Sequence, residues 1–379
     1  MIRRRRLRRS RLSCNVACCT QAQCPYDEDV IFRKVLRLLL WWLILAIVVL
    51  LALQMTMQLI CTRIDRKKFP PSGKMVSIPG AQMHVCTLGH GSPHVVLESG
   101  IAASSINWRP LQAELARLAT VSTYDRAGFG WSVSSNRNCT LSRMADDLHA
   151  MLAAMRVPVP YVLVGHSFAG YITRAYANRY PEELAGLVLL DPLTPEEWIE
   201  PTSAQRWNLR GGIWFSRAGG VLASLGVVRF CLWLLQRGNS TTPKSVLAIF
   251  GPKATETVGR ILRELLKLPP ESVRVIRARW STPTFFWTMA EYLEALPECA
   301  TELGGRSFPA RIPVTVLSGG HQPQVRLDEH AAIAAHSIRG RHIIADKSRH
   351  WIHLDQPELV VEAVREMVTA TQAAPVSHD

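Results

Sequence analysis

Between Leu38 and Thr62 the chain has no charged side chain at all. At ~1.5 Å per residue, such a run is long enough to cross a ~30 Å hydrocarbon core with some tilt. Other absences decide how it is read. No small-x-small cleavage site follows it, and the Gln-Leu-Ile before Cys61 lacks the small residue that lipoprotein cleavage needs. The run is therefore expected to stay as a signal anchor, with Trp41 and Trp42 marking one interface and Arg63, Arg66, Lys67 and Lys68 closing the other. Cys14, Cys18, Cys19 and Cys24 precede it without a nearby histidine, which is poor zinc spacing. The arginine-rich start, RRRRLRRSR, lacks interleaved aromatics or a binding fold, so no nucleic-acid partner is expected. No internal repeat is visible.

What is present describes a globular protein behind a basic tail. Hydrophobic residues make up 48% of the 379 and charged ones 20%, enough for a substantial core. The formal charge of +14 is uneven: residues 1–37 carry ten Lys/Arg against three Asp/Glu, half of the excess. That segment reads as a disordered tail held on the cytoplasmic side, with the globular part across the membrane. Cys86, Cys139, Cys231 and Cys299 establish no disulfide. Asn138-Cys-Thr and Asn239-Ser-Thr match the glycosylation acceptor, which matters only in a glycosylating compartment.

From residue 70 onward strand-like and helix-like segments alternate. Strands are expected at 74–78, 82–88, 94–99, 120–125, 161–165, 186–190, 313–317 and 342–345. Helices are expected at 108–118, 141–155, 326–337 and from about 356, with one more from Tyr171. The pattern predicts an α/β fold, a mostly parallel sheet with helices on both faces. Residues 193–310 break the rhythm. They read mainly as helices, including 219–236, 253–267 and 284–296, and are too long for a simple connection. The expected division is thus a core of 70–192 and 311–372 with a helical cap of 193–310.

One stretch carries chemistry. Residues 165–170 read GHSFAG, between the apolar run from Tyr161 and a helix-like segment from Tyr171. A nucleophile elbow needs a strand, a turn that forces serine into strained backbone angles, and a helix. It also needs small neighbours where strand and helix approach; Gly165, Ala169 and Gly170 meet that demand, although Ala169 stands where glycine is usual. Ser167 is the candidate nucleophile.

With ESGIAASSINW (98–108), YDRAGFGWS (124–132), GLVLLDP (186–192) and SRHWIHLDQPELV (348–360), the chain resembles the α/β-hydrolase family from about residue 70 to 370. The resemblance implies an oxyanion hole formed by the backbone N–H groups of Ile101 and Phe168. It places the base at His350, with His353 as the rival. The acid is less defined. Most of the family places it after the strand at 313–317, where this chain has Ser-Gly-Gly-His-Gln-Pro-Gln and no carboxylate until Asp328. Asp191, ending the strand after the nucleophile helix, is the first candidate and Asp328 the alternative. Asp125 and His90, His166, His330 and His342 are expected to be structural or surface residues.

A serine at the elbow, where epoxide hydrolases and haloalkane dehalogenases carry aspartate, points to acyl chemistry without cofactor or metal. The expected activity is ester-type hydrolysis through a Ser-His-Asp triad. A peptidase, an acyltransferase or a non-enzymatic ligand-binding homologue are the alternatives. The substrate, a small-molecule or lipid acyl compound, and the oligomeric state are left open by the sequence.

Overall fold

The structure is a computed structural model that describes residues 28–134, 139–237, 241–249 and 251–373. Most of the basic tail, its four cysteines, and the asparagines of both glycosylation triplets lie outside the described residues.

The chain divides into two compact units at Ala52/Leu53. Helix α1 runs from Glu28 to Lys68. In the first unit its large apolar side chains are exposed, from Leu38 at 59% and Trp41 at 70% to Leu51 at 38%. It is long and apolar enough to cross a membrane. One sequence expectation changes here. Residues 28–37, read as part of a disordered tail, are helical, because Val, Leu, Arg and Lys all sustain a helix whether or not the segment is charged. The apolar run also does not face outward to its end: Gln58 is 4% exposed, and its amide donates to the carbonyl of Ser281 at 2.6 Å in the second unit's own interior.

In the second unit, β1 (Lys74–Ile78), β2 (Ala81–Leu88), β3 (His94–Glu98), β4 (Val121–Tyr124), β5 (Val133–Ser134), β6 (Tyr161–His166), β7 (Leu184–Leu190), β8 (Val314–Gly319) and β9 (Gly340–Ala345) form one sheet. Its order is β1-β2-β4-β3-β6-β7-β8-β9, with β5 paired to β2. β2 is antiparallel to β1, β4 and β5; from β4 to β9 every pairing is parallel. Strands buried on both faces read as continuous apolar runs, which is why Val162-Leu-Val and Leu187-Val-Leu-Leu were legible.

Alternate residues feed two cores. Val162, Val164, Val188 and Leu190 pack with α2 (Arg109–Leu115) and with Val360, Val364 and Met367 near the C-terminus. Leu163, Leu187 and Leu189 pack with α3 (Leu141–Ala154) and α4 (Ala169–Arg179). Between β7 and β8 lie α5 (Glu196–Ile199), α6 (Ser203–Ser224), α7 (Val227–Gln236), α8 (Thr241–Ala248), α9 (Pro252–Leu265), α10 (Pro270–Trp280) and α11 (Pro283–Leu303). After β8 come α12 (Gln324–Ala335), α13 (Ile352–Asp355) and α14 (Pro357–Ala373). The single helix expected at 219–236 is two. Gly226 takes φ +74°, a left-handed angle open to glycine, and α6 and α7 meet there at 91°.

Candidate active site

The site forms at the carboxyl edge of the parallel strands, where β6 and β7 end in register beside β8. His166 pairs with Leu190 and Leu190 with Leu317, so Ser167, Asp191 and Ser318 follow side by side. Ser167 adopts φ +57° and Asp191 φ +43°, conformations uncommon for side-chain-bearing residues and costly without surrounding support. The support is visible. The Ser167 N–H donates to Leu190 O at 2.9 Å, its carbonyl accepts from Gly170 and Leu193, and the Asp191 N–H donates to Leu317 O at 2.7 Å.

The small residues around the turn have distinct reasons. A Cβ on Gly165 would stand 3.0 Å from Thr173 and 3.1 Å from the backbone of Ala169, and one on Gly170 would sit 2.5 Å from Pro192. Ala169 itself is fully buried. The close approaches fall on 165 and 170, so alanine is accommodated between them.

His350 lies in the loop after β9, and its Nδ1 donates to Asp191 Oδ2 at 2.5 Å. With that proton on Nδ1, the lone pair of the neutral ring is on Nε2, the arrangement a general base requires. Asp191 is fully buried and also accepts from the Gly319 N–H at 3.1 Å and from Gln322 Nε2 at 2.5 Å. Burial by itself would raise its carboxyl, but the hydrogen bond and charge of His350 and the Gly319 N–H outweigh it and hold the carboxyl below the usual range. A Cβ on Gly319 would lie 1.9 Å from the carbonyl of Arg349, so the loop carrying His350 crosses directly over this glycine. The stretch after residue 317 thus supplies donors to a carboxylate, Gly319 and Gln322, where a carboxylate had been looked for.

The other candidates sit elsewhere. Asp328 is exposed on α12, accepting from Gln324 Nε2 at 2.8 Å. His353 is buried with its ring against Trp108 and His166, at 4.5 and 4.7 Å between centroids. Asp125 is a buried structural acceptor for His84, Ser105 N–H and Trp131 N–H.

Two residues gained a place that sequence reasoning had not given them. His166 is buried, and its Nε2–H donates to the carbonyl of His350 at 2.8 Å, tying the backbone of His350 to the elbow. Burial and the neighbouring His350 push its ring down to about 3, so it stays neutral and keeps that proton. Arg126 is 5% exposed, pairs with Glu98, and donates to the carbonyls of Ser99 and Gly100, the latter at 2.6 Å. Phe129, Phe168 and Tyr292 surround its guanidinium at 5.2–5.7 Å. In a trans peptide the carbonyl and the following N–H point oppositely, so holding Gly100 O turns the Ile101 N–H away from Arg126. Among the described residues, neither the Ile101 nor the Phe168 N–H has a backbone acceptor. The sequence signal was available, since Glu98 and Arg126 stand inside the quoted motifs, but their pairing requires the β3–β4 neighbourhood.

The family model for the alpha/beta hydrolase fold matches residues 93–214, which include the elbow, Arg126 and Asp191. The chain has the alpha/beta hydrolase fold. Among relatives, this hydrolase-fold chain is 35% identical over 120 residues to the uncharacterized protein YqjL of Bacillus subtilis, covering 31% of this chain and 47% of that protein. The matches span about half or less of the length of such curated relatives. A thermophilic esterase from Thermogutta terrifontis superposes with a TM-score of 0.53 at 22% identity, over 78% of this chain and 97% of that one. A putative epoxide hydrolase from Pseudomonas aeruginosa superposes with a TM-score of 0.59 at 17% identity, over 79% and 95%. These likenesses speak to the fold.

The interior holds several neutral histidines, with a consequence for stability. Burial lowers His94 and His330 to about 4, as it lowers His166 further. In the unfolded chain these rings titrate near 6.5. A depressed folded pKa means that the unfolded state takes up more protons below 6.5, so the stabilisation is complete above that pH and is lost as pH falls toward 4. Each such ring steepens the decline by up to ~1.4 kcal/mol per pH unit. Urea unfolding of the wild type from pH 7.5 to 4.5 should show midpoints falling mainly below pH 6.5. His330→Asn should flatten that slope, and an unchanged slope would contradict neutral burial.

Proposed function

We propose that this protein is a membrane-anchored serine hydrolase that cleaves esters with apolar acyl groups. The observation that carries the reading is the contact of His350 Nδ1 with Asp191 beside a serine held at positive φ. In the reaction, Ser167 Oγ attacks the acyl carbonyl as His350 Nε2 takes its proton. The oxyanion of the tetrahedral intermediate accepts from the N–H groups of Ile101 and Phe168. Its collapse breaks the bond to the leaving alkoxide, which receives the proton from His350, and leaves the acyl group on Ser167. Water then repeats the sequence, giving its proton to His350 and releasing the acid. Asp191 holds the imidazole in the right tautomer and stabilises it when charged. Arg126 acts at one remove, by positioning the peptide that presents the Ile101 N–H; an oxyanion donor is worth ~10²–10³ in rate.

The acyl class is suggested by a cavity of about 200 Å³ whose lining is almost wholly apolar. Its lining includes Ile101 and Ala102 of the candidate oxyanion turn and Trp351, which follows His350 in the chain, together with Phe215, Leu232 and Leu262 among others. Burying each methylene of an acyl chain contributes ~0.8 kcal/mol. Specificity, kcat/KM, for nitrophenyl esters from acetyl to dodecanoyl should therefore climb with chain length until the cavity is full. A flat profile, or one falling from acetyl onward, would reject the cavity as the acyl site.

A further inference from the structure

Helix α7 divides its surface into three sectors, and one of them is covered by nothing the reaction explains. At about 100° per residue, Val227, Val228, Cys231, Leu232 and Leu235 share one side of the helix, and these residues line the apolar cavity. Arg229 lies on the next sector and grips α1: its guanidinium pairs with Asp65, donates to Gln58 Oε1 at 2.8 Å and reaches Thr62 Oγ1 at 3.3 Å. The third sector, opposite the cavity, carries Phe230 and Trp233, 53% and 39% exposed, with ring centroids 5.8 Å apart. Arg237 lies over the Trp233 ring at 4.1 Å. A helix apolar on opposed sides belongs between two apolar media.

The nature of the outer medium follows from what Arg229 holds. Gln58 and Thr62 lie at the end of the uncharged run, and Asp65 is the first carboxylate after it. On the same turns Leu53, Met55, Met57, Leu59 and Ile60 are 44–60% exposed. Only Gln58 among them is buried, and it is spent on Arg229 and Ser281. An ion pair and two hydrogen bonds thus fasten α7 at the level where a span-capable helix becomes polar. Aromatic rings capped by an arginine at that level match the interfacial belt of membrane proteins. On α6, Trp207, Trp214 and Val221 recur every seven residues and are 73%, 57% and 53% exposed.

We propose that the outer face of α7, around Phe230 and Trp233, is immersed in the headgroup–acyl boundary of the bilayer that holds α1, so that α7 separates lipid from the acyl cavity. This deepens the reading of the protein as an ester hydrolase, because it makes the substrate class a membrane-resident acyl ester delivered past α7. The membrane contact itself stands on the exposure and on the Arg229 clamp, and does not depend on that reading.

The test uses the full chain in phospholipid nanodiscs. A benzophenone amino acid placed at Phe230 should form photo-adducts with phospholipid acyl chains, and one placed at the exposed Val325 of α12 should not. Absence of lipid adducts at Phe230, or adducts there to a second copy of the chain, would overturn the membrane contact. In the same discs, Phe230→Asp with Trp233→Asp should lower turnover of a bilayer-resident long-chain ester at least about tenfold, while a water-soluble short-chain ester is hydrolysed at the wild-type rate. Equal losses on both substrates, or none on either, would reject delivery past α7. If the wild type hydrolyses neither ester, the hydrolase reading fails while the photo-adducts still decide the contact.

Discussion

Replacing Asp191 with asparagine should lower kcat by ~10⁴ with little change in KM, whereas Asp328→Asn should change neither parameter more than about twofold. The expected asymmetry follows from what each carboxylate touches. Asp191 is buried, accepts from His350 Nδ1, and has its remaining capacity filled by Gly319 and Gln322. An amide in its place presents either an oxygen without charge or an NH₂ that cannot accept the Nδ1 proton. The second case turns the imidazole to the tautomer whose Nε2 carries hydrogen and cannot act as a base. Asp328 is exposed and accepts from its own helix neighbour Gln324. Steady-state kinetics of both variants, with circular dichroism to confirm folding, decides the assignment. A severe loss in Asp328→Asn with a mild one in Asp191→Asn would reverse it.

The second large effect belongs to Ser167. Ser167→Ala should reduce kcat by ~10⁶, leaving only the residual catalysis that binding and oxyanion contacts provide. Folding should not suffer. The turn is held by backbone hydrogen bonds from residues 167, 170 and 193, and none of them uses the Ser167 hydroxyl. The thermal midpoint should stay the same or rise slightly, since the alanine differs only by an oxygen at a half-buried position. A Ser167→Ala protein that unfolds, or one that retains substantial activity, would contradict the role given to this hydroxyl.

The sheet was legible because its information is local. Apolar runs at 94–97, 161–164 and 186–190 carry their own period, and Gly165 and Gly170 mark the elbow through their size. What the sequence left open depended on register across strands. The sequence left both Asp191 and Asp328 open; the Leu190–Leu317 pairing, which no local pattern announces, places Asp191 beside Gly319 and under the loop of His350. His166 looked like one of several packing histidines, because its acceptor is a carbonyl 184 residues away. The Arg229 clamp was hidden for the same reason, with partners 164–171 residues distant. The kink at Gly226 was missed because a glycine inside an apolar helical pattern is tolerated often enough to be ignored. Here it takes a left-handed angle, and the two halves point at different surfaces.

The central claim is that Ser167 is a nucleophile activated by His350. Its most direct test is to treat the full-length wild type with a fluorophosphonate, digest it, and locate the adduct by peptide mass spectrometry. A single adduct on Ser167, lost in His350→Ala and slowed in Asp191→Asn, is the predicted result. An adduct on another serine, or labelling of Ser167 at an undiminished rate without His350, would contradict it.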